Sequence, residues 1–102
     1  MQPYIEVRFY RRAHDPSLAS TVNRWVARFE SMRFEVQRVA VAIESGDRAQ
    51  TNVGMTLTLT NGRVSSAATS HADPYVAISD AFRMARRQLL ERVGSAAAGM
   101  TG

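Results

Sequence analysis

The alternating pattern of residues 53–70 constrains the fold of this chain most strongly. Apolar and polar residues alternate from residue 53 to residue 60, which is the period of a half-buried β-strand. The dipeptide Asn61-Gly62 follows, and it is the strongest short signal for a two-residue hairpin turn with both residues at positive φ. Residues 63–70 are predicted to form the returning strand and include the small residues Ser66 and Ala68. The sequence therefore predicts an antiparallel hairpin.

Two further strands are predicted before this hairpin, over residues 4–10 and 34–45. Their inward-facing residues are Ile5, Val7 and Phe9 in the first strand and Val39, Val41 and Ile43 in the second. Threonines and the arginines Arg8, Arg38 and Arg63 are predicted on the opposite, solvated face of the sheet. One face of the sheet must therefore be covered by other elements.

Both predicted helices begin at an Asp-Pro pair, Asp15-Pro16 and Asp73-Pro74. Each pair places an N-cap carboxylate before a proline at the first helical position, where its missing N–H costs nothing. The first helix is predicted to end near Met32 and the second near Arg92. Their apolar stripes comprise Leu18, Val22, Trp25, Val26 and Phe29 in the first helix, and Ile78, Ala81, Phe82, Ala85 and Leu89 in the second. The aromatic residues Trp25, Phe29, Tyr75 and Phe82 are predicted to lie in the core.

The order of these elements is β-α-β-β-β-α. The helical connection allows the first two strands to lie parallel through a right-handed crossover, and short links make the other strands an antiparallel meander. The predicted fold class is α+β, a two-layer sandwich with a four-stranded mixed sheet and both helices on one face. A chain of 102 residues forms one domain, assigned to residues 1–93. Residues 94–102, rich in Ala and Gly, are predicted to be a disordered tail.

The composition excludes several classes of protein. Lysine is absent, so all 13 cationic side chains are arginines, and the net charge is +4. The absence of cysteine excludes disulfides, thiolate catalysis and sulfur-ligated zinc or iron. No apolar run approaches the roughly 20 residues of a membrane span, and the first residues lack a signal-peptide pattern. A soluble, cytoplasmic protein without membrane contact is therefore expected.

Five arginines on the outward faces of the two helices are the candidate binding residues: Arg24, Arg28, Arg83, Arg86 and Arg87. Asp80 and Glu91 can neutralise only part of the second helix through i, i+4 pairs. Arginine is a good bidentate ligand for phosphate, so a cationic helix face suits a nucleic acid. An ordinary solvated helix face is the alternative interpretation.

Other candidate sites are weaker. His14 and His71 lie near helix starts, where capping is their usual role, and no metal-ligand spacing or nucleophile motif accompanies them. An enzyme is therefore not expected, nor a cofactor or a small-molecule substrate. Tyr4 and Tyr10, with Arg8 between them, could stack on bases, although an amphipathic strand face is the simpler interpretation.

Two segments resemble a known family. The second helix is similar to that of the short ribosome hibernation factors, over His71-x-Asp73-x-Tyr75-x-Ala77-Ile78 and then Arg87-Gln88-Leu89. The first helix resembles theirs at Pro16 and at Ala27-Arg28-Phe29-Glu30. This family contains the hibernation promoting factor and the ribosome-associated inhibitor, and was once labelled sigma-54 modulation. The resemblance covers about residues 4–92, and Arg28 replaces a lysine of the family.

The resemblance implies the β-α-β-β-β-α fold and a regulator of translation. Family members bind the small ribosomal subunit and its rRNA in the decoding channel, and they silence the ribosome in stationary phase or stress, largely through basic side chains on rRNA phosphates. Carried over by position, Arg28 and Arg87 match the family's contacts. Arg24, Arg83 and Arg86 are inferred from the helical wheel alone. We also expect a monomer or weak homodimer without a cofactor.

Two other functions stay open. The second helix carries fewer basic residues near its end than is usual in the family, which favours a diverged protein-interaction or regulatory module that does not bind ribosomes. Such a module could pair a partner strand with the edge of the sheet at strand one or four. A general double-stranded RNA binder is the third possibility. Binding that weakens as salt rises would indicate RNA, whereas a salt-insensitive partner would indicate the interaction module.

Overall fold

The computed structural model describes residues 3–32 and 34–101, and the side chains of residues 3–32 and 34–91. One four-stranded sheet, in the order β1-β2-β3-β4, is accompanied by two α-helices and a short 3-10 helix (Asp47–Ala49). The elements are β1 (Tyr4–Tyr10), α1 (Pro16–Ser31), β2 (Val36–Ser45), β3 (Thr51–Leu59), β4 (Val64–His71) and α2 (Pro74–Thr101). Strand β1 is parallel to β2, and the other two pairs are antiparallel. The predicted α+β sandwich with a mixed sheet is confirmed.

The core lies between the sheet and the helices. From Val39 along β2 and throughout β3, every second side chain turns toward the helices, as the sequence pattern predicts; the β2–β3 register shifts between Val36 and Arg38. The largest fully buried apolar side chains are Phe29, Phe82, Leu18, Ile43, Leu57, Ile78, Val22, Val39 and Val53. The opposite surface of the sheet, called here the outer face, carries Arg8, Arg38 and several small residues.

Polar contacts help to hold α2 over β4, where the inward side chains are small. Ser65 is fully buried, and its hydroxyl donates to Gln88 Oε1 at 2.8 Å. The Thr69 hydroxyl donates to the carbonyl of Ala77 at 2.6 Å. These bonds satisfy polar groups that would otherwise destabilise the interior.

Both predicted helix starts are confirmed. Asp15 Oδ1 accepts hydrogen bonds from the backbone N–H groups of Ser17 at 3.0 Å and Leu18 at 3.4 Å. The pKa of Asp15 is lowered, first by the hydrogen bond from the Ser17 hydroxyl and then by these backbone bonds. Asp73 Oδ1 accepts in the same way from the N–H of Tyr75 at 2.9 Å.

Helix α2 ends at Thr101 and not near Arg92 as predicted. The predicted end is wrong because it rested on the loss of the core-facing pattern, whereas alanines have a high helix propensity and extend an existing helix. The side chains of residues 92–102 lie outside the described part of the structure. The division into a domain of residues 1–93 and a tail of residues 94–102 stays a prediction.

The hairpin at Asn61-Gly62 is present, but its turn differs from the predicted one. Only Gly62 has positive φ, at 87°, and its N–H donates to the carbonyl of Leu59 at 2.9 Å. The Leu59 N–H donates to the backbone carbonyl of Arg63 at 2.8 Å, so the loop has three residues, Thr60 to Gly62. Asn61 Oδ1 accepts from the N–H of Arg63 at 2.9 Å, which stabilises this form. Arg63 closes the turn before β4 and does not belong to the outer face.

Tyr75 was predicted to lie in the core, and this is wrong: its side chain is 45% exposed. Its hydroxyl lies 2.9 Å from the hydroxyl of Ser17, so it joins the first turns of the two helices instead. Within the described residues, no helix combines the length and the apolar character that crossing a membrane would require.

Candidate nucleic-acid interface

An aromatic stack joins the two helices. The ring of Trp25 on α1 stacks on Phe82 of α2, with 5.5 Å between ring centroids and 14° between planes. Phe82 also contacts Phe29, at 5.4 Å between centroids. Phe29 and Phe82 are buried, whereas Trp25 is half-buried and forms the outer end of the stack. The helices are therefore fixed side by side at the level of these rings.

Three of the candidate arginines lie around this stack. The Arg28 guanidinium carbon is 4.9 Å from the centroid of the Trp25 ring, which is a cation–π contact. A small cleft of about 170 Å³ opens between the helices. Its lining, which defines the interhelix cleft, comprises Trp25, Arg28, Phe29, Met32, Phe82, Arg83 and Arg86. The fold therefore brings together Arg28 from α1 and Arg83 and Arg86 from α2.

Arg24 and Arg87 lie outside the cleft lining. Arg24 is one turn before Arg28 on α1, and its Nη2 donates to the Thr21 hydroxyl at 3.3 Å. Arg87 follows Arg86 on α2 and is exposed. Each extends the cationic surface along its own helix. The role of all five arginines as RNA contacts stays a prediction.

The five arginines are not neutralised at short range. Among the side chains that the structure describes, the ion pairs are Arg8–Glu6, Arg38–Glu6 and Arg11–Glu44, and none of these lies on a helix. A guanidinium without a carboxylate partner keeps its N–H donors available for phosphate oxygens. Arg28 also lies in the last turn of α1, where a cation is stabilised by the helix dipole.

The two histidines have local structural roles. His71 Nδ1 accepts a hydrogen bond from the N–H of Asp73 at 2.9 Å, which organises the start of α2. The His14 ring packs edge-on against Phe9, with 5.0 Å between centroids. In the described part of the chain, no three His, Cys, Asp or Glu side chains are grouped so that they could hold a metal ion.

The interhelix cleft and one ion-pair arrangement were not predicted from the sequence. The Trp25–Phe82 stack depends on how the two helices pack, and a local sequence pattern does not predict this packing. The pairing of Glu6 with Arg8 could have been expected, because residues i and i+2 of a strand share a face. Its second partner, Arg38, becomes a neighbour only through the parallel pairing of β1 with β2.

Comparison with known proteins identifies one matching family. A family model described as sigma 54 modulation protein / S30EA ribosomal protein matches residues 5–94. A search of curated protein sequences finds no match.

Solved structures share the fold, and two of them illustrate the likeness. A ribosomal subunit interface protein from Coxiella burnetii superposes with a TM-score of 0.78 at 15% sequence identity, over 89% of this chain and 98% of that chain. The N-terminal domain of Protein Y from Thermus thermophilus gives a TM-score of 0.71 at 18% identity, over 83% of this chain and 93% of that chain. At these identities the likeness establishes the shared fold.

Proposed function

Because the chain belongs to the sigma 54 modulation protein / S30EA ribosomal protein family, we propose that it binds the small ribosomal subunit in the decoding channel and inhibits translation in stationary phase or stress. Membership makes it a ribosome-associated factor and not an enzyme. The observation that carries the finer proposal is the convergence of Arg28, Arg83 and Arg86 around the interhelix cleft.

The proposed mechanism is electrostatic and steric. The helix arginines pair with phosphates of the rRNA, and each neutralised phosphate releases counterions, so affinity falls steeply as salt rises. Contacts to phosphates fix the position of a protein without reading base sequence. Structured RNA is accordingly recognised by shape, and the folded body occupies the space that messenger and transfer RNA would fill.

The first test removes the arginines of α2. Arg83→Ala, Arg86→Ala and Arg87→Ala should be combined in one protein, because alanine is compatible with an exposed helix position. We expect its affinity for purified small subunits, measured with fluorescently labelled protein at fixed salt, to fall at least about tenfold. Unchanged affinity would show that this mechanism is wrong.

A matched control removes the same amount of charge elsewhere. The control changes three exposed arginines outside α1 and α2: Arg11→Asn, Arg48→Asn and Arg63→Gln. Arg11 and Arg48 have positive φ, which asparagine tolerates. This variant should keep its affinity within about threefold. An equal loss in both variants would indicate attraction by net charge alone and would contradict a defined helix surface.

The diverged interaction module remains the second candidate function. The observation in its favour is that β1 and β4 form the two edges of the sheet, where a partner strand could add. Binding of that kind relies on backbone hydrogen bonds. It would therefore be insensitive to salt and to the three α2 substitutions.

A further inference from the structure

The outer face of the sheet carries a second group of exposed aromatic and cationic side chains. Tyr4, Glu6, Arg8 and Tyr10 follow one another at alternate positions of β1, and Arg38 is the register partner of Tyr4 on β2. We call these five residues the tyrosine–arginine row. Tyr4 is 65% exposed and Tyr10 is 45% exposed. The row lies on the opposite side of the sheet from the helix arginines.

Glu6 orients both arginines of the row. One carboxylate oxygen accepts from Arg38 Nη2 at 3.0 Å, and the other accepts from Arg8 Nε. These bonds lower the pKa of Glu6, and the bond from Arg38 has a larger effect than the bond from Arg8. Each guanidinium has five N–H donors, so one bond to Glu6 leaves most of them available. Two cations with one carboxylate also leave the row with net positive charge.

Each arginine of the row is paired with a tyrosine. The Arg38 guanidinium carbon lies 5.9 Å from the centroid of the Tyr4 ring. At the other end, Tyr10 is the next residue after Arg8 on the same face of β1, and the pKa of Arg8 is raised, first by Tyr10 and then by Glu6. An aromatic ring beside a cation therefore occurs at both ends of β1. This combination is typical of surfaces that stack bases and hold phosphates.

The neighbouring strands leave room beside the row. An open trough of about 540 Å³ lies on the outer face, with Glu6, Arg8, Tyr10 and Arg38 along one side. Its floor consists of small side chains, which include Ala40, Ala42, Gly54, Thr56 and Ser66. A Cβ placed at Gly54 would meet no atom within 4 Å, so the space above the floor is open.

We propose that the outer face binds single-stranded RNA, with bases stacked on Tyr4 and Tyr10 and phosphates bound by Arg8 and Arg38. Unpaired bases are required because a duplex hides the base surfaces that an aromatic ring stacks against. The hydroxyl-bearing floor and the positive charge favour a nucleic acid over an apolar protein partner. This inference goes beyond the proposed function, since it concerns the opposite face and needs no ribosome.

The test measures binding of the full chain to a fluorescein-labelled uridine 12-mer by fluorescence anisotropy at low salt. Tyr4→Ala with Tyr10→Ala should weaken binding at least about tenfold, because the two aromatic rings on which bases stack are removed. Tyr4→Phe with Tyr10→Phe keeps both rings and should stay within about threefold of the original chain. Equal weakening in both double variants, or none in the alanine variant, would overturn the proposal.

Two further measurements separate this surface from the helix surface. Arg8→Gln with Arg38→Gln should weaken oligonucleotide binding and reduce its salt dependence, which gives a readout independent of the tyrosine variants. The triple α2 arginine variant should bind the 12-mer within about threefold of the original chain. Two results would exclude the outer face as an RNA surface. One is loss of 12-mer binding in the α2 variant while the outer-face variants still bind, and the other is no measurable binding by the original chain.

Discussion

Asp73 defines the start of the helix that carries three of the five candidate arginines. Its carboxylate accepts from the N–H of Tyr75, and its own N–H donates to His71, so the first turn of α2 is fixed directly after β4. Pro74 adds a backbone angle that already suits the helix. The position of the α2 arginines beside α1 therefore begins with one local hydrogen-bonded turn.

Replacing this cap should destabilise the protein measurably. We expect Asp73→Ala to lower the free energy of unfolding by about 0.5–2 kcal/mol, because the N–H of Tyr75 loses its acceptor. Urea denaturation followed by circular dichroism measures the change. Asp73→Ser restores an acceptor and should recover most of the loss. A serine variant as unstable as the alanine variant would contradict the capping role.

At the scale of elements, periodicity and capping signals predict most of the architecture. The strand Tyr4–Tyr10 and both Asp-Pro helix starts lie where the sequence places them. Strand β2 begins at Val36 instead of Phe34. The turn before Arg63 differs from the predicted two-residue turn because the side chain of Asn61 stabilises a three-residue loop. The Asn-Gly dipeptide alone does not distinguish these two loop lengths.

The candidate site is predicted only in part, for a physical reason. A helical wheel selects the arginines, because it depends on local geometry alone. It cannot show that Arg28, Arg83 and Arg86 line one cleft. That arrangement depends on the stacking of Trp25 against Phe82, which joins two helices far apart in sequence. The same limit explains Tyr75, whose contact with Ser17 of α1 replaces the predicted burial.

The two helices should contribute to one binding surface, and salt dependence can show this. Replacing Arg24 and Arg28 with alanine should reduce the slope of log affinity against log salt by about two, if both contact phosphates. The measurement is a salt titration of binding to small subunits, with Arg48→Asn and Arg63→Gln as the control pair. A slope unchanged by the α1 substitutions would assign binding to α2 alone.

At the scale of the whole molecule, the sheet separates two cationic surfaces. The helix arginines lie on one side, and the tyrosine–arginine row lies on the other. We propose that the first binds structured rRNA through phosphates, and that the second binds unpaired RNA through stacking. A factor with both surfaces could contact the walls of an RNA channel and an RNA strand within it at the same time.

Co-sedimentation of the purified protein with small ribosomal subunits on sucrose gradients, at low and moderate salt, tests the central proposal most directly. A factor that binds rRNA phosphates through its helix arginines should comigrate with the subunits in stoichiometric amounts at low salt, and less so at moderate salt. Protein that stays at the top of the gradient under both conditions would contradict binding to the small subunit.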